Sequence, residues 1–384
     1  MPKLIIVSEY VYRDENTTGY LWNAAIEELE KEGIHLKVLT LKNIENSKVK
    51  KSKIIRTLIK ALKALYLCLL IIKNYKKGDI IFSGTNPEIL IIFIAFLKYF
   101  LGFRWLLLVH DVFPENLIPA RILKSQSFFY KTLKIIFDWA YKQADLHFVI
   151  GRDMKKIIDK KIDRADKSYY IHSWINFRDI KLVEKNNSEI IQALGWQEKI
   201  VFLYYGNIGR VQEFKLILDA INLVNSNKAA FLFIGNGASA SEIKEFKKNN
   251  SVVSFHYIES LSDGKRDVGL ASCDIALVTL RKGMFGLGVP SKTYYSLAAD
   301  RPILALTDDE SEVHLMVRED KIGWHCSTYN SKDFAGKIDE ICEEDLSRFK
   351  GNLRRLTNTK YSSKSALKKL TYFIKLEKIS KKEI

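Results

Sequence analysis

The chain of 384 residues is 47% hydrophobic and 28% charged, with a net charge of +16. So long a chain exceeds one ordinary core and divides into two domains, and its apolar content excludes a disordered polymer. Its four cysteines, Cys68, Cys273, Cys326 and Cys342, are scattered without a CxxC or paired histidines. That excludes a disulfide framework or zinc ribbon and points to reduced thiols.

Met1-Pro-Lys runs straight into the apolar strand Leu4 to Ser8. No signal peptide is evident, so the cytoplasm is the expected address. Tyr20 to Glu32 has the pattern of a helix and Leu36 to Leu39 that of a strand. Residues 42–77 then carry eleven basic side chains against a single acid, Glu45. Arg56, Lys60 and Lys63 recur there at helical spacing beside Ile55, Leu58, Ile59 and Leu62. This is the make-up of a cationic amphipathic helix lying among anionic lipid headgroups. The apolar runs Leu62 to Ile72 and Ile89 to Phe103, broken only by Lys63 and Lys98, fall short of the about 20 residues a bilayer span requires. They predict core or interfacial helices. Nucleic acid is the other partner such charge suggests, but no nucleic-acid-binding motif accompanies it and none is expected.

Asp79 to Phe82, Trp105 to Val109 and Leu146 to Ile150 read as strands, with helices over Pro87 to Phe100 and Phe128 to Gln143. After Tyr169 to His172 a second cycle opens. Its strands are Ile200 to Tyr204, Ala230 to Ile234, Val252 to His256, Asp274 to Thr279 and Ile303 to Leu306. Its helices are Phe214 to Asn222, Ser241 to Lys248 and Thr293 to Ala299. Strand–helix alternation of this kind implies parallel, doubly wound sheets. Two such units follow in tandem, 1–172 and 173–352, with a hinge near Ser173 to Phe177. A lysine-rich helical segment, 353–384, closes the chain.

The segment Gly286 to Ala305 is the most informative. Ser291 is a natural N-cap for the apolar helix that follows, and Lys292 stands on its first turn. Free amides, the positive helix end and the lysine together suit a diphosphate. In open α/β sheets ligands bind beyond the carboxyl ends of the strands, and two further blocks fall there. His110 and Asp111 follow Trp105 to Val109. His110 can hydrogen-bond a hydroxyl, with Asp111 orienting it or taking the proton. Gly206-Asn207-Ile208-Gly209-Arg210 follows Ile200 to Tyr204. Its glycines allow close backbone approach and its arginine can grip a diphosphate with two parallel hydrogen bonds. No clustered partners accompany Asp308-Asp309, so no metal is expected.

Val289-Pro-Ser-Lys-x-Tyr-x-x-Leu-Ala-Ala-x-Arg-Pro-Ile-Leu-Ala resembles the donor segment of family 4 retaining glycosyltransferases. The branch it is most similar to assembles bacterial capsule, O-antigen and exopolysaccharide repeat units. Further blocks occur in the order that family requires: Asn16-Thr-Thr-Gly19, Gly33 to Thr40, Ser83 to Pro87, His110 to Asn116 and Ile150 to Met154. In the second half come Tyr205 to Arg210, Phe233 to Gly237, Ala271 to Val278 and Glu310 to Val313. The resemblance implies a GT-B architecture, two Rossmann-like domains about a cleft, with the C-terminal helix packed back on the first.

It also implies roles. Arg210, with Lys215 or Lys292, neutralises the departing diphosphate; the spacing of Lys215 is off by about one residue. Gly19 brings amides to the donor phosphates from the opposite domain, placed in the loop after the first strand. Gly235 and Gly237 form a nucleotide-side turn, Tyr257 and Ile258 read the base, and Gly288, Pro290 and Ser291 border the sugar diphosphate. Many members carry two glutamates where this chain has Leu287 and Tyr295; Glu310 and Glu312 are the candidate replacements for ribose binding. Asp300 replaces a turn glycine, which a left-handed residue of that type tolerates.

The expected activity is therefore retaining transfer from a nucleotide-diphosphate sugar, UDP by resemblance, to a membrane acceptor linked to polyprenyl diphosphate. It would serve surface polysaccharide biosynthesis at the inner face of the plasma membrane, with neither cofactor nor metal. A nucleotide-sugar epimerase of the same architecture, or a non-catalytic membrane-bound partner of another transferase, stand as alternatives.

Overall fold

The computed structural model describes residues 2–11, 17–41, 53–175, 180–249, 254–262 and 265–379. In the first half β1 (Leu4–Val7), α1 (Thr17–Lys31), β2 (Leu36–Leu39), α2 (Lys53–Asn74), β3 (Ile80–Gly84) and α3 (Leu90–Leu101) follow one another. Then come β4 (Arg104–Val109), α4 (Phe128–Gln143), β5 (Leu146–Val149), α5 (Arg152–Ile162) and β6 (Ser168–Tyr170). All six strands are parallel, in the order β2-β1-β3-β4-β5-β6. Their side chains are almost wholly apolar because helices cover both faces.

The second half contains α6 (Glu189–Leu194), β7 (Ile200–Tyr205), α7 (Phe214–Ile221), β8 (Ala229–Ile234), α8 (Ala240–Asn249) and β9 (Phe255–Ile258). It continues with α9 (Arg266–Ala271), β10 (Ile275–Thr279), α10 (Lys292–Ala298), β11 (Ile303–Leu306), α11 (Glu312–Asp320), β12 (Gly323–Cys326) and α12 (Ser331–Ile341). Its parallel sheet runs β12-β11-β10-β7-β8-β9. The expected α/β class and paired sheets hold. The second unit does not end at β11, however: α11, β12 and α12 extend it. The Gly-Trp-His-Cys of β12 alternates only over four residues, burying Trp324 and Cys326, and is a strand because it pairs with β11.

One apolar cluster joins the first sheet to Leu280, Met284 and Leu287 of the second half, and a second runs from Ile175 to Tyr361. Asn176 and Phe177, in the expected hinge, lie outside the described residues. After α12 the helix α13 (Asn352–Asn358) places Leu353 in the second cluster, whereas α14 (Ser363–Ile379) sends Ala366, Leu370 and Ile374 into the first. Asp300 adopts φ 59°, and its carboxylate accepts the N–H groups of Gly351 and Arg354, tying α13 to the turn after α10.

The outer side of the first sheet is less self-contained. On α2 Ile55, Leu58, Leu62, Leu65, Leu69 and Ile72 are all exposed, while Ala64, Leu67 and Ile71 face the core. Of the expected basic face, the described lysines divide. Lys63 turns inward to Glu9 at 2.5 Å and Lys60 pairs with Glu88 at 2.7 Å. The side chain of Arg56, and all of residues 42–52, lie outside the description. Alongside the exposed Lys60 and Lys73, α2 presents a long row of hydrocarbon outward. No described helix is long and apolar enough to cross a membrane.

Candidate active site

The second sheet reverses its winding between β7 and β10, which are neighbours although β8 and β9 intervene in sequence. A crevice must open beyond their carboxyl ends, the usual place for a ligand in such sheets. A cavity of about 440 Å³ lies there, walled by Leu203, Tyr205, Gly206 and Asn207 on one side and residues 288–292 on the other. Asp111 closes it from the first domain.

The floor consists of two loops in backbone contact. Gly206 N–H donates to Ile234 O and Ile208 N–H to Asn236 O, both at 2.9 Å. A Cβ at Gly235 (φ 142°) would stand 1.9 Å from Gly206 O, and one at Gly237 (φ 156°) 2.3 Å from Ile208 O. Only glycine permits that approach. The Tyr257 hydroxyl donates to Gly235 O at 2.9 Å and braces the turn.

Lys292 enters from the first turn of α10. Its Nζ is buried 3.5 Å from the centroid of the Tyr204 ring and has no hydrogen-bond partner. Burial lowers its pKa to about 7. The ring face attracts the ammonium, but its three N–H donors remain unspent, and an unpaired buried charge is costly until an anion arrives. Arg266 supplies a second cation. Its guanidinium lies 5.2 Å over the Tyr295 ring, and both residues line the cavity. Nothing in the sequence around Arg266 marks it; only the packing of α9 beside β7 brings it to the crevice.

Across the cleft, Thr85 Oγ1 accepts the N–H groups of His110 (3.1 Å) and Asp111 (3.3 Å), fixing the end of β4. Gly84 leaves room for the His110 ring and for Trp22. The His110 Nε2 is buried without a partner, and burial lowers the imidazole to about 4, so it is neutral. Burial, and secondarily the charge of Glu88, push the Asp111 carboxyl up to about 6. Asp111 forms an antiparallel bridge with Gly288, where a Cβ would lie 3.0 Å from Asp111 Oδ1. One cavity thus receives a carboxylate from one lobe and an ammonium from the other.

Among the described residues Asp309, His314 and His325 come close enough to share an ion. Their imidazoles stack face to face at 4.1 Å and 2°, so their in-plane lone pairs run parallel and do not converge. His314 Nδ1 also accepts the Glu310 N–H at 2.9 Å. Such an arrangement does not fit a tetrahedral metal centre.

Residues 186–360 match the family described as glycosyl transferases group 1. The chain is also 38% identical to the probable glycosyltransferase WbjE of Pseudomonas aeruginosa, over 96% of each chain. This chain belongs to the group 1 glycosyltransferases. The HepE structure of Anabaena in complex with UDP-glucose superposes with a TM-score of 0.68 at 13% identity, covering 97% of this chain and 99% of that one. WaaG, a glycosyltransferase involved in lipopolysaccharide biosynthesis, does so with 0.69 at 12% identity, covering 97% and 99%. The glycosyltransferase therefore has the GT-B fold.

Of the residues singled out in its sequence, Asp111, Gly206, Asn207, Gly288, Pro290, Ser291 and Lys292 line the cavity. His110 stands behind Asp111, and Gly209 packs on Asn207 and Gln212. Others are corrected. Ser291 is no cap: its backbone is helical (φ −59°, ψ −25°) and its side chain accepts no N–H. α10 has only seven residues, so the positive charge at its start is the Lys292 ammonium rather than a capped helix end. Gly19 is buried within α1, which starts three residues before Tyr20 because Leu21 and Trp22 pull that turn into the core. Tyr257 and Ile258 belong to β9 itself, which pairs with β8 as far as Ile258 and so ends two residues beyond the expected His256. Arg210 and Lys215 are exposed and neither lines the cavity.

Of the two glutamates, Glu310 stays on the surface and Glu312 is committed. Glu310 pairs with Arg318 at 2.5 Å on the surface. Glu312, 1% exposed, accepts the Arg152 backbone N–H (2.7 Å), Arg152 Nε (3.0 Å) and the Tyr170 hydroxyl (2.8 Å). It joins α11 to α5 across the lobes, so its lone pairs are already spent.

Proposed function

We propose that this glycosyltransferase moves a sugar, with retention, from a UDP-sugar to an acceptor linked to polyprenyl diphosphate, in bacterial surface polysaccharide biosynthesis. The observation that carries the donor half is the unpartnered Lys292 ammonium held over Tyr204 at the topological switch point. A diphosphate there would take its N–H donors and offset the charge that grows on the leaving group. The UDP complexes solved for HepE support this choice of nucleotide. Arg266 and Tyr295 occupy the wall where a ribose-binding carboxylate is missing. Asp111 faces the same space from the acceptor side, to position the incoming hydroxyl, with the neutral His110 buried behind it. The departing phosphate takes that hydroxyl's proton on the sugar's front face. No metal enters this scheme; Lys292 and Arg266 carry the positive charge.

The apolar outer face of α2 supports a role at a membrane surface, here taken as the inner face of the plasma membrane. That face would rest among acyl chains while the lysine-rich stretch before it meets anionic headgroups.

Replacing Lys292 with Met, with folding verified by thermal melting, should lower kcat/KM about 100-fold or more. A UDP-sugar carries no group titrating near neutrality, so a pH effect on its binding reports the protein. Free Lys292 with pKa about 7 is about 90% protonated at pH 6 and about 10% at pH 8, so donor affinity should fall about tenfold between them. The sign follows because anion binding favours the ammonium and raises its pKa. Lys292→Met should flatten that dependence. Parental rates in the variant would refute the assignment. Donor incubated alone should stay unchanged; a new isomeric sugar nucleotide would mark an epimerase instead.

A further inference from the structure

The head of α4 is built to hold two aromatic rings in water. Ser127 Oγ accepts the Tyr130 N–H at 3.2 Å, and Ser127 N–H donates to Lys124 O at 3.0 Å. This cap fixes the first helical turn, which would otherwise fray. On that turn Phe128 is 86% and Phe129 61% exposed, and Ile135, two turns on, is 72% exposed. Rigid presentation of such side chains to solvent forgoes the burial that drives folding, and exposed patches of this kind mark interaction sites.

The surrounding charge selects the partner. Among the described side chains of residues 55–145, eight lysines and arginines are exposed, Lys124 and Lys131 beside the phenylalanines among them, and no acid is. The nearby acids are spent inward: Glu115 and Asp138 both pair with Lys134 and Lys161. Two copies of such a surface would repel each other, which argues against self-association. An anionic bilayer satisfies both features, taking the rings into its acyl boundary and the lysines among its headgroups.

Position adds the functional link. The chain leaves β4 at Val109, passes Asp111 and reaches Phe128, so the head of α4 stands at the same carboxyl edge as the cavity. We propose that Phe128 and Phe129, with Lys124 and Lys131, form a second membrane anchor that docks on anionic phospholipid at the cleft edge. This rests on the membrane reading given for α2. A single helix lying in the interface lets the molecule rock about its axis; a second contact fixes the tilt and turns the cleft toward the bilayer.

The four native cysteines are buried, so an introduced thiol can be labelled selectively. An environment-sensitive fluorophore on Phe129→Cys should brighten and shift to the blue with vesicles of phosphatidylcholine and phosphatidylglycerol, as should one on Leu62→Cys in α2. A label on Lys332→Cys, in the second lobe, should not respond. Response at 62 without response at 129 overturns the second anchor and leaves the α2 reading standing; silence at both overturns the two together. In parallel, Phe128→Ser with Phe129→Ser should lower transfer to a long-chain acceptor in vesicles about tenfold, with transfer to a short-chain soluble acceptor held within about twofold. Equal losses on both acceptors, or loss of a dimer in this variant, would assign the patch to folding or to self-association and overturn the proposal.

Discussion

The crevice of the second lobe and the outer helices of the first break opposite rules of a self-sufficient fold. Around β7 and β10 the backbone is so tightly fitted that glycines touch carbonyls, yet Lys292 Nζ and, across the cleft, His110 Nε2 are buried without hydrogen-bond partners. On α2 and at the head of α4 Lys60 finds Glu88 and Ser127 caps its helix, yet large apolar side chains remain in water. The first region reserves hydrogen-bond donors and acceptors; the second reserves hydrophobic area. On the proposed reading each deficit answers a partner, a polar anion in one place and hydrocarbon in the other.

Three experiments set these regions against each other. The largest effect belongs to Gly235→Ala, whose Cβ would meet Gly206 O at 1.9 Å. The two loops must separate, costing about 3 kcal/mol in stability, read as a lower denaturant midpoint, and abolishing donor protection against thermal unfolding. Unchanged stability would show that the floor yields, and that its rigidity is not what holds Lys292. Next, Leu58→Ser with Leu62→Ser should cut vesicle partitioning about tenfold while shifting stability by less than about 0.5 kcal/mol, because neither side chain is in the core. A cooperative loss of stability would return α2 to the core. The smallest effect should come from Arg210→Ala, which leaves the cavity lining intact and should lower kcat/KM no more than about threefold. A loss comparable with that of Lys292→Met would mean that closure of the lobes carries Arg210 onto the donor.

Much was legible before any coordinates. Strands buried on both faces announce themselves as apolar runs, so β1, β4, β8 and β10 were plain, as were the glycine loops and Lys292 with its neighbours. Elements held by contacts rather than by composition were not. Gly323–Cys326 becomes a strand only against β11, and α5, rich in lysine, shows its apolar stripe only once Met154 and Ile158 meet the first core. Arg266 lies in a segment without any motif, and Glu312 looked free until Arg152 and Tyr170 reached it from the other lobe.

Sequence alone determined the two parallel sheets, their order along the chain and the loops at their carboxyl ends, because alternation, apolar runs and glycine placement are local properties. Which way Lys63 turned, whether Ser291 capped a helix, and which carboxylates stayed free were decided only by tertiary structure. Lys63 met Glu9, 54 residues away, and Glu312 met Arg152, 160 residues away; a side chain's charge or hydrogen bond is settled by what packs against it, not only by its neighbours in the chain.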